Sequence, residues 1–412
     1  MTYPQTQRRR AFLRTAAGLS TALLLGERAV LAAPDASGAI VLGQSFDASQ
    51  SELALISRVQ RAYFDSVNAA GGVHGRRIQL VSLDDRGDIG VRQRHAAELL
   101  ENHRAQALFG MPSLPPGQTV LPQLFVRDRA AARASATPDG VLVSFYPGHA
   151  LEGRLLARHL MAHGKAPRTA ILHGDDAQSR ELLSGLRAGL GKHAGAVLGK
   201  IISASADGNA LSSAIQGLRA SGDGALVVLA PPATTLQALS LARDTGWNPQ
   251  SFIASESASA LESAPEVQAA KAVGAQSLRY LIDANDPTWA KRKPFHFAEF
   301  SRWDNDRGVQ AYTVFLKKHA RDVDPKSEVA VWAYSTAQLM VYVLSQCQGQ
   351  HTTKDITRQA LRLGGYNPPL INPGIRVYSH PARAAAITQA QPIRFDGRHW
   401  TETGGVLEAD DD

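Results

Sequence analysis

Short apolar runs alternate along this chain with longer segments whose apolar residues recur three and four positions apart. Ala39-Ile40-Val41-Leu42 is continuous and bounded by Gly43, as a strand buried on both faces would be. Glu52 to Ala70 follows, with Leu53, Ile56, Tyr63, Phe64 and Val67 at helical spacing. It stops at Gly71-Gly72, where glycine accepts a left-handed cap at little steric cost. Strands are then predicted at Arg77–Val81, Ala107–Phe109, Val141–Val143, Ala170–Leu172, Lys200–Ser203, Leu226–Leu229 and Phe252–Ala254. Helices are predicted at Val91–His103, Leu151–His163, Arg180–Leu190, Asn209–Ala220 and Thr234–Thr245, and they dominate from Gly308 to Leu363. Strand and helix taking turns at this spacing predicts parallel sheets covered by helices, the doubly wound α/β class. No period of 20–50 residues recurs, which excludes a solenoid.

The charge pattern changes how the first residues are read. Arg8-Arg9-Arg10-Ala11-Phe12-Leu13-Arg14 precedes a mildly apolar stretch, Thr15 to Leu25, and small residues at Ala29–Ala33. A cationic start, a short apolar core and a small-residue cleavage site are the layout of an export signal. Arg9-Arg10-x-Phe12-Leu13-Arg14 also resembles the bacterial twin-arginine signal. Cleavage near Ala32 removes five arginines and one glutamate, and the formal charge falls from +7 to +3. So weak a balance argues against a nucleic-acid partner. The single cysteine, Cys347, can form neither an intramolecular disulfide nor a cysteine zinc site, and it lies in an apolar helix as a core thiol would. No apolar run reaches the 18 residues that a spanning helix needs.

Catalytic patterns are missing. The chain has no G-x-S-x-G elbow, no phosphate-cradling loop and no H-E-x-x-H. Gly43-Gln44-Ser45-Phe46-Asp47 lacks the further glycines of a dinucleotide turn. Asp84-Asp85-x-x-Asp88 reads as a polar turn after a strand, so neither a metal nor a cofactor is expected. Polar residues do follow several strands, at Gln44-Ser45, Ser113, His173 and Glu256. In open α/β sheets the carboxyl ends of the strands are where ligands bind.

Three segments carry a resemblance: Leu42-Gly43-Gln44-Ser45, the helix end Tyr63-Phe64-x-x-Val67-Asn68-Ala69-Ala70-Gly71-Gly72-Val73-x-Gly75-Arg76, and Ile78 to Asp85. Together they resemble the periplasmic leucine/isoleucine/valine-binding proteins, the solute receptors of ABC importers. The similarity continues through Glu152–Leu160, Gly246-Trp247-Asn248-Pro249, Trp332–Leu344, Pro373-Gly374-Ile375 and Ile393–Gly397. It implies two doubly wound lobes joined by three hinge crossovers. Lobe one would be 36–145 plus 282–362, and lobe two 146–281 plus 363–405. A signal peptide at 1–32 and an acidic tail at 406–412 would flank them.

The resemblance also implies a ligand site. Lobe one would contribute Ser45 and Phe46 after the first strand, and Ser113 and Leu114 after the third. Lobe two would contribute His149, Gln178, Ala230, Pro231 and Glu256, with Glu256 as charge partner of a ligand ammonium. The chain departs from the family pattern at 111–138, where Arg127 to Pro138 is rich in Ala and Arg and lacks the expected apolar strand. The expectation is a monomeric periplasmic receptor that catalyses nothing, captures a small amino acid or related solute, and delivers it to an inner-membrane ABC permease. The alternative is a sensing or regulatory receptor on the same fold.

Overall fold

The computed structural model describes residues 38–115, 117–129, 141–162, 166–203, 207–262, 264–283, 300–379 and 384–409. The expected signal peptide, most of the Arg127–Pro138 segment and residues 289–299 lie outside the described residues. The first sheet is built from β1 (Ile40–Phe46), α1 (Ser51–Ala69), β2 (Ile78–Asp84), α2 (Ile89–Glu101), β3 (Ala107–Phe109), β4 (Gln123–Val126) and β5 (Leu142–Ser144). The chain then enters α3 (His149–Met161), β6 (Thr169–His173), α4 (Ala177–Leu190), α5 (Ala194–Val197), β7 (Leu198–Ser203) and α6 (Gly208–Arg219). The second sheet continues with β8 (Ala225–Leu229), α7 (Pro232–Asp244), β9 (Gln250–Ile253), α8 (Ser255–Glu262), α9 (Glu266–Lys271) and β10 (Gln276–Arg279). After α10 (Phe300–His319), α11 (Glu328–Ser345) and α12 (Thr353–Ala360) come β11 (Gln389–Phe395), β12 (Trp400–Glu402) and β13 (Leu407–Glu408).

Two sheets result. The first runs in the order β2-β1-β3-β4-β5 and is parallel throughout. The second runs β12-β11-β10-β9-β8-β6-β7, with β13 beside β11. It is parallel from β7 to β10 and antiparallel where the late strands join. Helices cover both sheets, which is why β8 reads as an unbroken apolar run and β5 and β8 are buried at every position. The late helix α11 packs on α1 in the first sheet's layer. Tyr334 meets Tyr63 edge-on at 5.1 Å, and Thr336 accepts from the buried Gln60 amide at 3.1 Å.

Local chemistry explains the turns. Gly72 ends α1 with φ +73, and a Cβ there would lie 2.1 Å from the Arg76 carbonyl oxygen. The acidic turn is structural. Asp88 caps α2 by accepting from the Val91 N–H at 2.9 Å, and Asp85 pairs with Arg92 at 2.7 Å. Asp84 accepts from the main chain of Ala48 and Arg86.

Three elements differ from expectation. β1 runs four residues further, to Phe46, because Gln44 is held inside by Ser57, Gln60 and Ser82 rather than facing solvent. β4 is present although no apolar strand was expected near it. It is short and starts with Gln123, whose side chain is bonded to both polar groups of the Leu114 main chain. Finally, Leu407–Glu408, expected in an acidic tail, pairs with β11 and precedes a buried Ala409.

The chain passes between the sheets along paths that touch one another. Leu281 bridges Ile371, and the Ile282 N–H donates to Leu370. Ser144, at the end of β5, bridges Ala385.

Candidate functional site

The carboxyl ends of the parallel strands of the two sheets meet at one side chain, Arg129. A β-bulge prepares it. Leu124 pairs with Val143 and Val126 with Ser144, so Phe125 is an extra residue, held at φ +52. A bulky side chain in that region is strained, and a bulge re-aims the residues just beyond it. Those residues are Arg127-Asp128-Arg129. Arg127 pairs with Glu52 of α1 at 2.6 Å, and Asp128 accepts from the Ser113 hydroxyl at 2.5 Å and its N–H at 2.9 Å. Both contacts fasten the loop to the first sheet's layer.

Arg129 then reaches across. Its guanidinium is 5% exposed and pairs with Glu152 in the first turn of α3. It also donates to the Ser255 hydroxyl at 2.7 Å. It lies 4.5 Å from the ring centroid of Tyr146 and 5.3 Å from that of Tyr280, within range for cation–π attraction. Glu152 is buried and accepts in addition from the Ser255 N–H (2.7 Å), the Ser255 hydroxyl (2.8 Å) and the Tyr280 hydroxyl (3.0 Å). A buried ion pair is tolerated only when its remaining lone pairs and protons are satisfied, and Glu152 meets that condition.

His149 and Glu256 complete the cluster. Arg129 Nε and His149 Nε2 lie 3.6 and 3.7 Å from the same oxygen, Glu256 Oε1. His149 Nδ1 is 3.9 Å from Glu181. Those are charge-pair distances, beyond a direct hydrogen bond. Among the described residues, Arg129 Nε and both ring nitrogens of His149 are buried without a hydrogen-bond partner. The Glu256 side chain is 42% exposed. The polar contact with His149, opposed by burial and aided by Arg129, holds its carboxyl down at about 2.

Of the nine expected ligand residues, the structure joins His149 and Glu256. Ser113 stands one step away, bonded to Asp128. Ser45 and Phe46 are the last ladder residues of β1, and the Ser45 hydroxyl turns inward to Asp85 (3.2 Å) and His95 (3.0 Å). Leu114 is fully buried in the core beside β1 and α2. Ala230 is buried, and its carbonyl accepts from the Thr235 hydroxyl at 2.9 Å. Pro231 and Gln178 are exposed at the starts of α7 and α4. Sequence reasoning missed Arg127, Arg129, Tyr146 and Tyr280. The available signal was the apolar run Leu124-Phe125-Val126 immediately before two arginines.

A larger cavity of about 330 Å³ lies at the opposite, amino ends of β9 and β10. Two of its three lining cations are taken up locally. Arg243 donates to the Lys271 and Val273 carbonyls at 3.1 and 2.7 Å, and Lys271 pairs with Asp244 at 2.7 Å.

Two α/β layers whose strand ends converge on a shared polar cluster define the two-lobed class of solute receptor. The chain belongs to the periplasmic binding protein family, whose model matches residues 56–397. Solved structures agree on the fold. A possible leucine/isoleucine/valine-binding protein from Rhodopirellula baltica SH 1 is 16% identical with a TM-score of 0.66, over 90% of this chain and 98% of that one. A branched-chain amino acid ABC transporter protein from Thermus thermophilus, solved with bound valine, is 12% identical with a TM-score of 0.68, over 90% and 97%. A fatty acid ABC transporter substrate-binding protein from Thermomonospora curvata is 15% identical with a TM-score of 0.62, over 92% and 94%. No curated protein matches the chain significantly.

Proposed function

We propose that this chain is the periplasmic substrate-binding component of an ABC importer. It captures a small solute between its lobes and delivers it to a membrane permease, after export through the signal at 1–32. The observation that carries this reading is the cluster at Arg129, where side chains from both sheets converge and three buried nitrogens lack a hydrogen-bond partner among the described residues. Unpartnered buried donors are rare in folded proteins and call for an acceptor that a ligand can supply.

The cavity beside the cluster, lined among others by Ser255, Tyr280 and Glu328, measures about 40 Å³. That is room for about one water molecule, so a solute requires the lobes to part first. Closure then favours the bound state because both lobes touch the ligand only when closed.

The test begins with mass spectrometry of small molecules released from protein isolated from a native periplasm. Whatever is identified is titrated back by calorimetry, with small-angle scattering at saturation. A bound solute and a smaller radius of gyration support the reading. No released molecule, together with an unchanged radius in periplasmic extract, overturns it.

A further inference from the structure

We infer that the solute taken by this cleft carries a carboxylate and no ammonium group, with Arg129 Nε and His149 as its donors. The inference rests on the receptor reading above and adds the chemical class of the ligand.

The seat an ammonium would need is already filled. A cation in a closing cleft requires an anionic partner, hydroxyl acceptors and, where available, aromatic faces. Glu152, the Ser255 hydroxyl and the faces of Tyr146 and Tyr280 are such a set, and Arg129 occupies all of it. A carboxylate has about four lone-pair sites. Glu152 already receives four donors, with Arg129, the Ser255 hydroxyl and the Tyr280 hydroxyl on Oε2 and the Ser255 N–H on Oε1, so its charge is committed to Arg129.

What remains open is chiefly the opposite chemistry: among the described residues three buried nitrogens of the cluster lack a hydrogen-bond partner, against one buried acceptor, Glu181 Oε2, which faces His149 Nδ1 at 3.9 Å. Arg129 Nε is a donor that never loses its proton, and a neutral imidazole offers one N–H. Arg129 Nε and His149 Nε2 converge on a single point, now marked by Glu256 Oε1 at 3.6 and 3.7 Å, too far for either to bond. A solute carboxylate placed between them would supply two charge-assisted hydrogen bonds. Glu256 is the displaceable group in this arrangement. Its side chain is 42% exposed, whereas those of Arg129 and His149 are 5% and 3% exposed, so it can turn towards solvent while they stay.

Glu256 also gives the inference a sign. For an acid ligand, Glu256 is a like charge, and Glu256→Gln should tighten binding by about threefold or more. For an amine or amino acid held by Glu256, the same change should weaken binding by about 30-fold or more.

The experiment titrates the mature protein with six probes on two carbon skeletons. These are valine, 3-methylbutanoate and isobutylamine, and phenylalanine, 3-phenylpropanoate and phenethylamine. The expected result is that at least one acid binds more tightly than its amino acid and its amine, and that Glu256→Gln tightens it. Arg129→Gln should abolish acid binding, and because that variant disturbs a buried pair, the half-exposed Glu256 site carries the decision. Tighter binding of an amine or amino acid, weakening of the acid by Glu256→Gln, or silence from both acids overturns the inference. Tight amine binding with compaction would leave the receptor reading standing, whereas that reading fails on its own test with native periplasmic material.

Discussion

Gly185 of α4 packs directly on the main chain of Ala150 in α3, where a Cβ would lie 1.9 Å from the Ala150 carbonyl oxygen. Gly153 and Gly189 extend the contact, with hypothetical Cβ atoms 2.2 Å from Leu182 O and 2.8 Å from Arg154 Cα. The seam matters to the site because α3 carries His149 at its first residue and Glu152 in its first turn.

Gly185→Ala is therefore expected to destabilise the fold. Helix propensity favours alanine by roughly 0.5–1 kcal/mol. The clash, however, is with backbone, which cannot rotate away, and overpacking costs about 1–3 kcal/mol. Urea unfolding should show a net loss. Gly195→Ala, which meets nothing within 4 Å, should be neutral or slightly stabilising.

Arg129→Met should strand the buried Glu152 carboxylate. Removing one member of a buried pair costs about 3–5 kcal/mol. Adding Glu152→Gln should recover part of that loss, because the uncompensated charge disappears. The exposed pair Arg58–Asp322, with side chains 49% and 70% exposed, is the contrast. Arg58→Met should cost less than about 1 kcal/mol. Equal losses at the two sites would mean that the Arg129–Glu152 pair does not behave as a buried one.

Glu262 predicts a pH dependence. Burial pushes its carboxyl up to about 7, Arg279 opposes, and Asp283 and Glu328 push further. The folded protein therefore binds more protons than the unfolded chain between the ordinary carboxyl range and pH 7. The contribution to stability is full below about 4.5, falls as pH rises through 7, and is flat above. Thermal melts from pH 5 to 8.5 should show that decline. Glu262→Gln should flatten it, and an unaltered slope would rule out Glu262 as its source.

Export supplies the last prediction. If Arg9 and Arg10 are the recognised pair, Arg9→Lys with Arg10→Lys should leave the precursor in the cytoplasm. Cell fractionation reads this directly, and normal export of the double variant would refute the twin-arginine signal.

The doubly wound class was legible along the chain because a strand buried on both faces must be apolar at every position. Leu226–Leu229 and Val141–Val143 could be located by that rule alone, and Gly71-Gly72 marked the end of α1. The rule of polar residues just after strands reached Glu256, beyond the end of β9, whereas His149, at the start of α3, was reached only through the family resemblance. Local rules failed at Ser45, since whether a strand ends at Leu42 or at Phe46 depends on whether Gln44 finds Ser57, Gln60 and Ser82 to bond with. They failed at Arg129 for a stronger reason. An arginine in an Ala- and Arg-rich segment reads as a solvated charge until Glu152, Ser255, Tyr146 and Tyr280, up to 151 positions away, surround it. Backbone periodicity is local and is written in neighbouring residues. The desolvation and pairing of a charge depend on what the fold brings beside it, and only the tertiary structure decided that.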